Sequence, residues 1–256
     1  MKYRLILCVV SAALSLTACS NNDTPGTSPG SGALRVVNAI SDSQPIDASI
    51  TNVTTDINNI AFGSASGFRD VVEGSYKVQL ATHNSGGTAV TITADNVSID
   101  HNNQTTVYAI GNLSLSNQNS LTVERTISDI SSSNIEVQFV DVAGGPDGTI
   151  SLIQPGSDPS NPANVVATQT LSSAVNASDP TKAYSAPQQI AAGTYEIIVT
   201  VGGVKIYDSG AAGVALGGGT SFQFAVLNSP GISDGSVISV LELDDKGNST
   251  PLPASS

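Results

Sequence analysis

The chain has 256 residues, room for one large domain or two of about 100–125 residues each, and 39% are hydrophobic, which excludes wholesale disorder. Only 12% are charged, with 21 acids against 9 bases and a formal charge of −12. That balance excludes nucleic acid as a partner, because neutralising phosphates takes clustered lysine and arginine.

In chain order, a basic head (Lys2, Arg4) precedes the apolar run Leu5–Ala18. As a helix that run spans about 21 Å, short of a ~30 Å hydrocarbon core. It therefore reads as a signal peptide, residues 1–18, that is removed. Its end, Leu16-Thr17-Ala18-Cys19, resembles the lipobox of bacterial lipoproteins; the alternative is an ordinary secretory signal with an incidental cysteine. The lipobox resemblance implies diacylglycerol on the Cys19 thiol and a third acyl chain on its freed amine. Ser20 at the sorting position implies lipid anchoring at the outer membrane, on its periplasmic face or the cell surface. Cys8 falls inside the removed segment, so Cys19 has no disulfide partner. Residues 19–33 hold small and polar residues and read as a flexible tether. Removal of residues 1–18 takes Lys2 and Arg4 but no acid, so −12 becomes −14. That charge disfavours lying flat on an anionic leaflet.

Beyond the tether the apolar residues alternate with period two. Tyr76, Val78 and Leu80 oppose Lys77, Gln79 and Ala81, and Tyr195, Ile197, Val199 and Val201 repeat the pattern, the signature of half-buried strands. Turns follow from Asn84-Ser85-Gly86-Gly87 and Asp100-His101-Asn102-Asn103, and Gly202-Gly203 between Val201 and Val204 predicts a tight hairpin. No helical stripe follows Ala18, so the mature chain is expected to be all-β.

The segments recur in order. Leu34–Ala39 aligns with Val137–Val142, and Glu73-Gly74-Ser75-Tyr76 aligns with Ala192-Gly193-Thr194-Tyr195. Thr106–Asn112 aligns with Phe222–Asn228, and Leu121–Arg125 with Val237–Leu243. This predicts two tandem immunoglobulin-like antiparallel β-sandwich domains, residues 34–126 and 133–246, with a flexible C-terminal tail at 247–256. Tyr76 and Tyr195, after glycine-containing turns, are the candidate tyrosine corners. The series Arg35-Val36-Val37-Asn38-Ala39, Pro45-Ile46-Asp47, Phe62–Phe68, Glu73–Val78 and Tyr108-Ala109-Ile110-Gly111 is similar to the bacterial cell-envelope module known as domain-of-unknown-function family 4397. The resemblance implies a β-sandwich and an exported setting, and carries over no catalytic residues. It weakens in the second copy, where Asp147-Gly148 replaces the Pro-Ile-Asp form.

Candidate chemistry is sparse. Gly63-Ser64-Ala65-Ser66-Gly67 has alanine where a nucleophile elbow needs serine, and the only histidines, His83 and His101, stand in expected turns. Zinc spacing is absent. Calcium is the one metal with candidate ligands, Asp42 and Asp47 in the first copy and Asp141 and Asp147 in the second, although such residues also cap turns unaided. No other cofactor is expected. Gln154–Lys182, with Pro155, Pro159, Pro162 and Pro180, has no counterpart in the first copy and reads as a long contact or mobile loop. The leading expectation is a non-enzymatic structural, adhesive or partner-binding module, anchored in a membrane and offering loops to a protein or glycan partner. The alternatives are a small-ligand or glycan binder, calcium-assisted, and a hydrolase with an unrecognised site.

Overall fold

The computed structural model describes residues 30–54, 57–84, 86–175, 179–232 and 234–255. The expected signal peptide, Cys19 and the tether up to residue 29 lie outside the described residues. Nine strands form the first half: β1 (31–38), β2 (46–50), β3 (57–60), β4 (64–65), β5 (69–72), β6 (74–83), β7 (89–99), β8 (103–110) and β9 (119–126). Ten form the second: β10 (134–141), β11 (148–153), β12 (165–171), β13 (188–191), β14 (193–201), β15 (204–208), β16 (214–216), β17 (220–228), β18 (238–244) and β19 (249–252). Two short 3-10 turns, Pro162–Asn164 and Pro180–Ala183, are the helical elements among the described residues.

Four sheets stack in layers. The order β3-β2-β6-β7 makes the outer sheet of the first sandwich, and β4-β1-β8-β9, with β5 on β1, makes its inner sheet. The inner sheet of the second sandwich runs β13-β10-β17-β18-β19, and its outer sheet β12-β11-β14-β15, with β16 on β14. One core fills each sandwich: Leu34, Val36, Val78, Leu80 and Val107 in the first, Phe139, Leu152, Ile197 and Phe224 in the second. A third apolar cluster lies between the inner sheets, where Val37, Tyr108, Ile110, Leu121 and Val123 meet Val140, Val142, Leu227, Leu241 and Leu243. The sandwiches therefore pack face to face. Strands β8 and β17 are consequently covered on both faces, and every residue from Gln104 to Ile110 and from Thr220 to Asn228 is buried. We expect a protease site built into 128–131 to leave, after cleavage, two fragments that co-elute in size exclusion and separate only in denaturant. Separate elution in native buffer would refute the packed interface.

Several expectations need correction. The sheets are not wholly antiparallel: β1 pairs parallel with β8, and β10 with β17. The chain leaves each inner sheet, builds the outer one and returns in its starting direction, and such a crossover yields a parallel pair. The tether ends sooner than expected, because Ser31–Ala33 already belong to β1 and pair with β5. Gly32 is there for clearance: a Cβ on it would stand 2.4 Å from the Asp100 carbonyl oxygen. The tail at 247–256 contains β19, which pairs with β18 and buries Leu252. Gln154–Lys182 does have a counterpart, for β12 pairs with β11 as β3 pairs with β2.

The repeat alignment also slips by one residue. Arg35 is opposite Thr106 and Gln138 is opposite Gln223, so Tyr108 corresponds to Ala225 and not to Phe224. A slip of one changes the face: Tyr108 points into the inter-sandwich layer, Phe224 into its own core. The hairpin at Gly202-Gly203 forms with φ of 57° and 81° and pairs Val201 with Val204. Both positive values favour glycine.

Candidate functional site

Each tyrosine of the expected corners folds back on its own strand entry. The Tyr76 hydroxyl donates to the Val72 carbonyl at 2.8 Å and the Tyr195 hydroxyl to the Ala191 carbonyl at 2.7 Å. Phe139 N–H donates to Ser185 Oγ, and Val36 N–H to Ser66 Oγ, so the second serine of the elbow-like segment holds backbone in place. Ser64 Oγ donates to the Ala61 carbonyl.

Three of the four candidate calcium ligands, Asp42, Asp47 and Asp141, are engaged with backbone. Asp42 accepts from the Leu113 and Ser114 N–H groups at 2.8 and 2.9 Å, and Asp47 from the Asn59 N–H at 2.7 Å. Asp141 accepts from the Ala143 N–H at 3.1 Å and lies within electrostatic reach of Asp147. The two pairs are not structural equivalents. By strand register Asp141 corresponds to Asn38, and Asp47 to Thr149. Among the described residues no group of three or more His, Cys, Asp or Glu is placed to hold a metal ion.

Polar chemistry concentrates instead between the inner sheets, on strand positions that alternation alone assigns to solvent. Arg35, 1% exposed, donates through Nε to Thr106 Oγ1 (3.0 Å), through Nη1 to the Asp244 carbonyl (2.8 Å) and through Nη2 to Gln223 Oε1 (3.1 Å). Its guanidinium also lies 4.6 Å from the Phe68 ring centroid. Tyr108 donates to the same Gln223 oxygen, and Gln223 Nε2 donates to Gln138 Oε1 at 2.8 Å. Burial pulls Arg35 down to about 10, with the nearby Arg125 charge adding to it, and pushes Tyr108 well above its ordinary range. Both keep their protons at neutral pH.

The polar layer opens at one end into a cleft of about 280 Å³. Gln104, Arg125, Glu136, Ser221 and Asp245 line it, with Lys246, Ile127 and Ile130 beside them. Arg125 donates to Ser221 Oγ and Gln104 Oε1. Ser221 Oγ donates to Glu136 Oε1 at 2.9 Å, and Ser128 Oγ to Glu136 Oε2 at 3.1 Å. Burial lowers Arg125, while Glu136 and Asp245 work the other way. Asp245 Oδ2 accepts from the Ser221 N–H at 3.0 Å, whereas Oδ1 is shielded from solvent and has no hydrogen-bond partner. Sequence reasoning missed this cleft because its residues come from four strands and two connections; the signal available was polar side chains inside otherwise unbroken apolar strands.

A second charged group sits on the outer sheet of the second sandwich. Burial raises the Glu196 carboxyl, which accepts from the Gly156 N–H at 2.8 Å. Burial also works to raise its neighbour Asp208, but Lys205 and the Gly210 N–H outweigh it and hold that group low.

Fold and cleft together define a duplicated all-β module of four stacked sheets with a polar seam. Residues 32–147 match the model of the family described as a domain of unknown function, DUF4397. The matched segment runs from β1 through β10 and stops just ahead of β11. A comparison with curated proteins finds no match. Among solved structures, a candidate cell adhesion protein from Bacteroides ovatus is 9% identical, with a TM-score of 0.26, over 89% of this chain and 99% of that one. A second candidate cell adhesion protein, from Bacteroides fragilis, is 12% identical, with a TM-score of 0.22, over 92% of each chain. Superpositions this loose leave the topology resting on the strand pairings above.

Proposed function

We propose that this chain is an exported lipoprotein, acylated at Cys19 and anchored in the outer membrane, that works without catalysis as a stiff structural or adhesive module presenting its loops to a partner. The observation that carries the reading is the seam between the inner sheets. Its most shielded polar side chains, Arg35, Tyr108, Gln138 and Gln223, bond to one another and to backbone across the sandwiches. Chemistry committed in that way makes one inflexible body from two repeats. The basic head, apolar run and Cys19 supply the anchor, and a formal −14 keeps the folded part off an anionic leaflet.

The test is metabolic labelling with an alkyne fatty acid. Label on the wild type, and none on Cys19→Ser with release into the soluble fraction, supports the anchor; an unlabelled processed N-terminus overturns it. Protease added to intact cells then separates surface presentation, read as digestion, from a periplasmic role, read as protection. Turnover of any esterase, peptidase or glycosidase substrate by the purified full chain would overturn the non-catalytic part.

A further inference from the structure

The core-facing row of β10, Ile135, Val137 and Phe139, ends in a carboxylic acid. Asp141 is buried between the two sheets of the second sandwich, beside a cavity of about 20 Å³, room for one water molecule. Val199, Val201, Ile206, Val226 and Ile238 supply the apolar lining, and no lysine, arginine or histidine is among the described residues around it. The charged and titratable groups on the surrounding elements give the carboxyl no help. Asp147 repels it, Asp234 is turned to the Ser236 N–H, Lys205 is paired with Asp208, and the Tyr207 hydroxyl donates to the Leu252 carbonyl. Two turns, 142–147 and 229–237, close the cavity backbone against backbone. A Cβ on Gly145 would stand 2.6 Å from the Asp234 carbonyl oxygen, and one on Gly235 would overlap the Gly144 carbonyl. A seal made of glycine backbone buries little apolar surface, so it opens at less cost than the strands behind it. The Gly231 N–H donates to the Ser41 carbonyl at 3.0 Å, which sets the seal where β1 ends, away from Gly30.

We propose that Asp141 is a proton-operated latch on these two turns: protonated, it rests in the closed cavity, and on giving its proton to solvent it drives the turns apart so that water reaches the carboxylate. The apolar wall disfavours the charged form far more than the neutral one, and parting the turns is the shortest route to hydration. Burial pushes the closed-state carboxyl up to about 7, whereas a hydrated one titrates near its ordinary 3.8. Between those values the closed form holds one proton more than the open form. The open fraction therefore grows by up to about tenfold per pH unit and levels off above pH 7. The first sandwich has no such device, because Asn38 occupies the equivalent position, bonds the Ile60 carbonyl through Nδ2 and cannot titrate. The latch is independent of the lipid anchor. In an anchored chain it sets, through external pH, the order of loops that face away from the tether.

The test is amide hydrogen exchange on the full-length protein in non-ionic detergent at pH 5, 6, 7 and 8, read as protection factors so that the exchange chemistry's own pH dependence cancels. Protection of amides in 143–145 and 235–237 is expected to fall about fiftyfold between pH 5 and 7 and only about twofold more by pH 8. In Asp141→Asn the same amides should keep one value across the range. The β17 amides should stay better protected than the turns at every pH, which marks the opening as local. Flat protection in the wild type overturns the proposal, and that result does not depend on the variant folding. An equal slope in Asp141→Asn overturns it too. So do turns that exchange no faster than β17, since the event would then be global unfolding.

Discussion

Arg35→Ala is expected to destabilise the folded chain by about 3–5 kcal/mol, lowering Tm by roughly 10 °C. The substitution removes three donors from a site 1% exposed and leaves the Asp244 carbonyl, Thr106 Oγ1 and one bond of Gln223 Oε1 without that partner. It also opens a void against Phe68. The seam acts as a network, so pairs of substitutions should not add. Arg35→Met combined with Gln223→Leu is expected to cost about 1–2 kcal/mol less than the two single changes summed. Urea unfolding of the four proteins measures this coupling. A loss under 1 kcal/mol for Arg35→Ala, or additivity in the cycle, would show that the guanidinium is incidental to the packing of the sandwiches.

The opposite sign is expected at Asp141. Burial pushes its carboxyl up to about 7 from an ordinary 3.8, with the Asp147 charge adding to the rise and the Ala143 N–H opposing it. The folded chain thus holds a proton that the unfolded chain releases near pH 4. Between pH 4 and 7 the native state binds more protons, so stability falls as pH rises through that window. Above pH 7 the full cost is present, and below pH 4 none of it is. Asp141→Asn should match the wild type near pH 4, gain on it through the window and lead by about 2–4 kcal/mol at pH 8. The first sandwich already uses this solution. Asn38, at the equivalent strand position, accepts from the Ile40 N–H at 3.1 Å in the geometry with which Asp141 accepts from Ala143. Denaturant melts of both proteins at pH 4, 6 and 8 decide it; parallel pH profiles would show that the Asp141 carboxyl is ionised throughout.

The all-β class, the repeat and the Gly202-Gly203 hairpin were legible because each has a local cause: alternation on Tyr76–Leu80 and Tyr195–Val201, and glycines where φ must be positive. The stacking of the sandwiches was not legible as a contact, since Arg35 and Asp244 are 209 residues apart. A trace of it exists in Val107–Ile110 and Phe224–Leu227, which run hydrophobic without alternating because two faces are covered. The one-residue slip in aligning those runs has the same origin, for a strand buried on both sides gives no polar row to fix its register. Asp42 and Asp47 look like ligands in sequence because the acceptors that calcium wants are also those that turn N–H groups want. The cleft was hidden because its lining is gathered from distant strands whose polar residues read as solvent-facing.

Synthesis from the N-terminus exposes a timing problem in this arrangement. The first sandwich can close once Thr126 has emerged, yet its inner face stays bare until β17 and β18 arrive. During that wait Tyr108, Ile110, Leu121 and Val123 form an uncovered sheet surface, the kind that sticks to other nascent chains. Arg35, Gln104, Thr106 and Arg125 share that surface. Before they serve the finished seam, these side chains can work as gatekeepers, hydrating the half-made molecule and discouraging premature pairing with the wrong neighbour.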